Sequence, residues 1–290
     1  MKSKIRNLAL HSGESKQLQT PLNRPQKEKR PNHQQNESMP LNKKQVQHQL
    51  EVEGEDDLKD PNYDPETDPT PVVIFDSELP YIQELKAVDI IFLLDTTGSM
   101  NPYMKGIKRL IRKILWDAQK CLTQYLLDEI DVLKVGLVCY KDHDQVQKTY
   151  VSQIFSNLTS DFKEFTDILM SVRVNGGKDI PEAVLDGLND CVYNINWRDK
   201  SYKFIYHILD SPPHGKLFYN GDDDLYSGCP NGFDHEDILI EMRNKDINYS
   251  IIKFGDYCDM MIQEFEKIVK IEIITPDIKP DSGKFMGQDT

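Results

Sequence analysis

The 290-residue sequence contains no apolar run that approaches the roughly eighteen residues needed for a membrane-spanning helix. Its opening stretch, MKSKIRNLALHSG, has an apolar part that is too short for a secretory signal. The five cysteines are odd in number, and none of them lies at zinc-binding spacing from another cysteine or a histidine. These absences predict a cytoplasmic protein with reduced thiols and without a transmembrane segment.

Basic residues are fewer than acidic ones: the sequence has 35 Lys and Arg residues and 48 Asp and Glu residues, which gives a net charge of −13. Such a balance argues against nucleic acid as the main partner. Residues 1–80, basic at first and then acidic, are poor in large apolar side chains and are predicted to be a disordered arm. A single domain is predicted over residues 86–275, followed by a short tail at 276–290.

From residue 87 onward, apolar runs typical of buried strands alternate with helical stripes. Strands are predicted at 87–94, 132–140, 148–155, 202–209, 247–254 and 271–274, and helices at 100–127, 162–172, 181–195, 236–244 and 259–269. This order predicts an α/β fold, with a Rossmann-like, doubly wound and mostly parallel sheet covered by helices on both faces. Ligands of such sheets bind at the carboxyl ends of the strands.

Side chains that carry oxygen are concentrated where the predicted strands end. Asp95, Thr97 and Ser99 alternate in the segment DTTGS, directly after the first strand. Further acids follow other strands or precede the helix at 181–195: Asp142, Asp144, Asp179, Glu182 and Asp210. Oxygen donors without sulfur or clustered imidazole suit Mg²⁺, Mn²⁺ or Ca²⁺ better than zinc.

Four motifs occur in order on the expected elements: DTTGSM, GLVCYKDHD, VNGGKDIPEAVLDGL and HILDSPPHGKLFYNGDDD. Over about residues 86–275 the chain resembles von Willebrand factor A domains, and in particular the A domain of the vwkA group of alpha-protein kinases. The resemblance implies a metal-ion-dependent adhesion site at the top of the sheet. Asp95, Thr97 and Ser99 would be its first-loop ligands, and Asp210 would bind the metal through water.

The second loop of the site departs from the commonest pattern of the family. Many A domains carry a threonine where this chain has Lys178. The segment Asp179-Ile-Pro-Glu182 resembles the DxPE motif of integrin β A-like domains, which implies that Glu182 is the second-loop ligand. Asp142, Asp144 and Asp179 are then candidates for the surroundings of this metal or for a second metal.

The resemblance implies an intracellular binding module in which a protein partner's Asp or Glu completes the coordination of Mg²⁺, Mn²⁺ or Ca²⁺. We expect a monomer without enzymatic activity, because about fifteen residues after Thr275 leave no room for a kinase domain. One alternative is a non-catalytic part or relative of a vwkA-type kinase. Another is a haloacid-dehalogenase-like phosphoryl-transfer enzyme, in which Asp95 would accept phosphate; Asp222 and Asp223 look like the late acidic pair of such enzymes, but no buried strand precedes them. An aspartic protease is disfavoured by the extra threonine in DTTGS.

Several of these residues also have ordinary structural interpretations. Asp179 and Glu182 have the spacing of a helix capping box. His207, inside a strand, is expected to be a hydrogen-bonded core histidine. His214 is expected to be a turn residue and Asp222–Asp224 a solvated acidic loop.

Overall fold

The computed structural model describes residues 87–125, 132–143 and 149–281 of the chain. The arm predicted at residues 1–80 therefore lies outside the described residues, as do Asp144 and the end of the predicted tail, residues 282–290. The fold described here is that of the segment that begins at Ala87.

The described residues form a six-stranded sheet in the order β3-β2-β1-β4-β5-β6, in which only β3 is antiparallel to its neighbour. The strands are β1 (Val88–Asp95), β2 (Leu133–Tyr140), β3 (Ser152–Thr159), β4 (Tyr202–Leu209), β5 (Ile247–Lys253) and β6 (Ile271–Ile274). The helices are α1 (Met104–Tyr125), α2 (Phe162–Ser171), α3 (Val184–Asn189), α4 (His235–Asn244) and α5 (Asp259–Phe265). A 3₁₀ helix at Gly98–Tyr103 precedes α1, and a π-helical turn at Asp190–Asn194 follows α3.

The continuous apolar sequence of β1 is explained by its position, because the strand is buried along its whole length. Its alternate residues, such as Phe92 and Leu93, point to opposite faces of the sheet. Phe92 belongs to the core under α1 and α2, whereas Leu93 belongs to the core under α3, α4 and α5. The doubly wound, mostly parallel fold predicted from the sequence is thereby confirmed.

Several predicted elements differ from the structure at their boundaries; the helix predicted at 259–269, for example, ends at Phe265. The strand predicted at 148–155 lies at Ser152–Thr159, because its register is set by pairing with β2, where Ser152 lies opposite Tyr140. The helix predicted at 181–195 begins only at Val184. The backbone N–H groups of Glu182 and Ala183, just before it, donate to the Pro212 and Lys141 carbonyls, and these contacts with neighbouring loops hold the segment outside the helix.

A buried ion pair closes the amino-terminal end of β1. Asp89 is fully buried, and its Oδ1 lies 2.6 Å from Nη2 of Arg198, which is partly exposed. Asp89 Oδ2 accepts hydrogen bonds from the Arg198 backbone N–H at 3.0 Å and from the Ser201 hydroxyl at 2.6 Å. The carboxylate that interrupts the apolar strand is therefore fully paired, far from the carboxyl ends of the strands.

His207 of β4 is fully buried between two tyrosines. Its ring nitrogens lie 2.9 Å from the Tyr140 hydroxyl and 2.7 Å from the Tyr249 hydroxyl, which confirms the prediction of a hydrogen-bonded core histidine. Burial lowers the pKa of His207 to about 3. The folded protein therefore keeps this ring neutral at a pH at which the unfolded chain binds a proton.

The free energy of unfolding should consequently fall as the pH is lowered below about 6.5, the ordinary histidine pKa. His207 alone should contribute about 1.4 kcal/mol per pH unit to this loss, until the folded-state pKa is reached. Urea unfolding of the wild-type protein and of His207→Gln between pH 4.5 and 7 isolates the contribution, since other groups titrate equally in both. Parallel pH profiles would show that His207 does not titrate as described.

Candidate metal centre

The order of the strands creates a crevice at the carboxyl ends of β1 and β4. β2 lies on one side of β1 in the sheet and β4 lies on the other. The loop that follows β1 and the loop that follows β4 therefore run in opposite directions from adjacent strands. Asp95 is the last residue of β1, and Asp210 directly follows β4. Two carboxylates that are distant in the sequence therefore lie beside the same crevice.

The first loop is organised by hydrogen bonds that start from Asp95. Its Oδ1 accepts from the Thr97 backbone N–H at 2.8 Å and from the Thr97 hydroxyl at 2.6 Å. The Thr97 and Ser99 hydroxyl oxygens are 3.2 Å apart, and the Ser99 hydroxyl donates to Asp210 Oδ1 at 3.1 Å. Ser211 also donates to that oxygen. The structure thus brings four of the predicted ligands together in one continuous set of contacts.

Two carboxylate oxygens beside this set lack a partner within the described part of the chain. They are Asp95 Oδ2 and Glu182 Oε2, and both are buried without a hydrogen bond. Glu182 reaches the site because Gly177 has no side chain: a Cβ atom there would lie 2.6 Å from Glu182 Oε1 and 3.4 Å from Thr97 Cβ. Buried carboxylate oxygens normally have a partner, so these side chains fit a bound cation.

The electrostatics of the site lead to the same expectation. Burial and then the charge of Asp210 raise the pKa of Asp95 to about 8. Burial and neighbouring carboxylates, Asp95 foremost, raise the pKa of Glu182 well above its ordinary value, and burial raises that of Asp210. Asp210 thus makes Asp95 harder to ionise, and both make Glu182 harder to ionise, a penalty that a bound divalent cation would remove.

The glycine-rich second loop packs directly on the first. The Gly98 N–H donates to the Gly176 carbonyl at 2.9 Å, and the Asn175 N–H donates to the Thr96 carbonyl at 3.0 Å. Gly176 adopts a φ of 91°, a conformation that favours glycine. The buried Lys141 ties the loops together, because its Nζ donates to the Thr96 carbonyl at 3.1 Å and to the Asn175 carbonyl at 2.8 Å.

The predicted capping box at Asp179 and Glu182 is wrong. Glu182 forms a parallel bridge with Pro213, and its backbone N–H donates to the Pro212 carbonyl at 2.9 Å. The next N–H donates to the Lys141 carbonyl, so α3 starts after both residues. Glu182 is thereby fixed between the loops that follow β2 and β4.

The buried His214 links three further acids: Asp142, Asp179 and Asp224. His214 Nε2 lies 2.9 Å from Asp142 Oδ1, and its Nδ1 lies 2.9 Å from Asp224 Oδ1 and 3.8 Å from Asp179 Oδ2. Burial lowers the pKa of His214, but the hydrogen bonds to Asp142 and Asp224 outweigh it, so the pKa is raised. The Asp179 carboxylate accepts from the Leu225 N–H. His214 is thus a buried link between loops rather than a simple turn residue.

The remaining predicted residues lie further from this network. Asp222 and Asp223 are exposed, as expected of a solvated loop, whereas Asp224 organises the loop instead. Lys178 is exposed. Asp144, a candidate for a second metal, lies outside the described residues.

A family model described as von Willebrand factor A domain matches residues 89–221. Residues 89–221 therefore form a von Willebrand factor A domain. The alpha-protein kinase vwkA of Dictyostelium discoideum is 34% identical to it over 168 residues, which are 58% of this chain. The match covers 25% of the kinase, so the chain corresponds to about a quarter of that relative's length. The resemblance inferred from the four motifs is therefore confirmed.

Two solved structures are similar to this A domain at 14% sequence identity. The SpRpn10 VWA domain has a TM-score of 0.42, with 68% of this chain and 90% of that chain covered. The conserved hypothetical protein BatB from Bacteroides thetaiotaomicron has a TM-score of 0.41, with 65% and 90% covered.

Sequence reasoning missed the role of Lys141 in this A domain. The available signal was its position directly after β2, in the segment KDHD, where the side chain can reach both loops of the site.

Across the described ranges, no helix of the A domain is both long enough and apolar enough to cross a membrane.

Proposed function

We propose that this A domain is a metal-dependent protein-binding module. Mg²⁺, or Mn²⁺ or Ca²⁺ in its place, would be held by five side chains: Asp95, Thr97, Ser99, Glu182 and Asp210. The observation that carries this proposal is the pair of buried carboxylate oxygens without a hydrogen bond, Asp95 Oδ2 and Glu182 Oε2. Once bound, the cation would supply an electrophilic coordination position suited to a carboxylate of the partner.

Each of the five proposed ligands would have its own role in binding the cation. Asp95 and Glu182 supply charge, and the hydroxyls of Thr97 and Ser99 supply neutral oxygen donors. Asp210, which accepts a hydrogen bond from Ser99, would act through a water molecule. Because two of the donors are neutral, only Asp95 and Glu182 would offset the charge of a divalent cation directly, and the cation could still accept an anionic group at an open coordination position.

The rim of the crevice supports a protein as the partner. Loops after β4 and β5 present exposed apolar side chains, with 48% of Leu217, 59% of Leu225 and 56% of Tyr257 exposed. Exposed apolar side chains that are grouped together, rather than scattered singly, are a mark of surfaces that bind other proteins. We therefore infer a partner that offers an Asp or Glu with apolar residues beside it.

The likeness to vwkA favours a compatible second proposal, in which the A domain selects partners for an alpha-protein kinase pathway. All five cysteines lie in described regions and none of them forms a disulfide, which supports a reducing, cytoplasmic setting. The phosphoryl-transfer alternative gains no support, because Asp222 and Asp223 lie exposed in a loop instead of at the end of a strand.

Binding to an array of short acidic peptides tests the proposal. We expect some peptides to bind in Mg²⁺, and we expect EDTA, exchange of the peptide's Asp or Glu for Asn or Gln, and Asp95→Asn each to abolish binding. Asp167→Asn removes one charge from an exposed helix position and should bind normally. Peptide binding that persists in EDTA, or that survives in Asp95→Asn, would contradict a metal-bridged contact.

A further inference from the structure

Three side chains that can bind metal meet at a second place, where the loop between β4 and α4 covers the start of α3. His143 follows β2, Asp186 lies in α3, and Cys229 lies in the covering loop. Their ligand atoms all lie within 4.8 Å of one another. The three residues are distant in the sequence, which is why cysteine and histidine spacing gave no sign of them.

The imidazole of His143 is placed as a metal ligand would be. Only 8% of the residue is exposed, and neither ring nitrogen makes a hydrogen bond among the described residues. Nε2 nevertheless lies 3.0 Å from Asp186 Oδ2. The nitrogen is close to the carboxylate, yet no N–H is directed at it. This arrangement is expected when both atoms are ligands of the same metal ion.

The distances in the cluster suit a tetrahedral ion. Cys229 Sγ lies 3.3 Å from Asp186 Oδ2, close to the separation of Nε2 from the same oxygen. Ligand atoms around tetrahedral zinc are about 3.3–3.5 Å apart, given bonds of about 2.0 Å to nitrogen or oxygen and 2.3 Å to sulfur. Small movements would bring all three atoms into coordination.

Neighbouring groups hold the three side chains in place. Asn231 Nδ2 donates to Asp186 Oδ1, which leaves Oδ2 directed at the other two ligands. The His143 ring packs edge-on against Tyr226 and 5.5 Å from the His214 ring. A Cβ atom on Gly187 would lie 2.7 Å from the Tyr140 ring, so α3 packs closely on β2 beside His143. Such outer contacts orient the ligands of metal sites.

We propose that His143, Asp186 and Cys229 form a zinc site, separate from the candidate metal centre at Asp95. Imidazole, carboxylate and thiolate donors together suit Zn²⁺ and are a poor set for Mg²⁺. The ion would fasten the loop between β4 and α4 to β2 and α3. That loop carries His214 and Asp224, so the zinc site would stabilise one wall of the candidate metal centre.

Titration of the purified full chain with Co²⁺ in place of zinc tests this site. We expect one equivalent to give a thiolate-to-cobalt charge-transfer band, which Zn²⁺ displaces. Asp95→Asn should keep the band, because it alters only the other centre. Cys229→Ser should lose it, whereas Cys121→Ser, which changes the other cysteine that is not fully buried, should keep it.

The absence of a charge-transfer band at excess Co²⁺ would overturn the proposal and leave His143 and Asp186 merely in close contact. A band that persists in Cys229→Ser would overturn it as well. His143→Gln, which keeps a polar side chain, provides a second variant if Cys229→Ser does not fold. It should lose the band or shift it strongly, and an unchanged spectrum would contradict the assignment of His143.

Discussion

Asp95→Asn is expected to make the stability of the domain independent of Mg²⁺, whereas the wild-type protein should gain about 2.7 kcal/mol at a hundredfold excess over the Kd. The asparagine keeps an oxygen that can accept from the Thr97 N–H, so the loop should remain folded. It removes a buried carboxyl group whose pKa is raised to about 8 by burial and by the charge of Asp210, and which is therefore costly to ionise. In EDTA the variant should therefore be at least as stable as the wild type.

Thermal and urea unfolding in EDTA and in millimolar Mg²⁺ measure this effect. Asp167→Asn is the matched control, because it removes one carboxylate from an exposed surface and should leave the wild-type response to Mg²⁺ intact. If Mg²⁺, Mn²⁺ and Ca²⁺ all fail to shift the wild-type curve, Asp95, Thr97 and Ser99 form only a loop and not a metal site.

The second large effect is expected at the opposite end of β1. Asp89→Ala should lower the free energy of unfolding by about 3–5 kcal/mol, since it leaves the charge of Arg198 without its buried partner. The loss should be the same in EDTA and in Mg²⁺, because the pair is remote from the candidate metal centre.

Urea unfolding at pH 7 compares this variant with Asp167→Ala. Asp167 pairs with Lys163 on an exposed helix face, where both side chains are mostly solvent-accessible, and its loss should cost about 1 kcal/mol or less. A cost of Asp89→Ala similar to that of the exposed pair would show that the buried contact is not a major source of stability.

Much of the fold was predictable because each pattern in the sequence had one dominant physical cause. The apolar run at Val88–Asp95 is continuous since both faces of β1 are covered, and the alternation with helices then requires parallel strands. Parallel strands end at a common edge. The meeting of Asp95 with Asp210 followed from this rule and from the family resemblance.

What the sequence could not supply depends on contacts between distant segments. The spacing of Asp179 and Glu182 favoured a helix cap, and no local pattern shows that the Pro212 carbonyl takes the Glu182 N–H instead. The shift of β3 arises from its pairing with β2. The meeting of His143 and Cys229 likewise exists only in the folded chain.

The proposed Mg²⁺ site is tested most directly by counting the Mn²⁺ ions that each chain binds, by electron paramagnetic resonance, with one equivalent of zinc present. The wild-type protein should bind one Mn²⁺ that Mg²⁺ displaces, and Asp95→Asn should bind none. Glu182→Gln should bind it more weakly, because the site loses one of its charges. Wild-type protein that binds no Mn²⁺ at millimolar concentration, or Asp95→Asn that binds it as tightly as the wild type, would contradict the metal site.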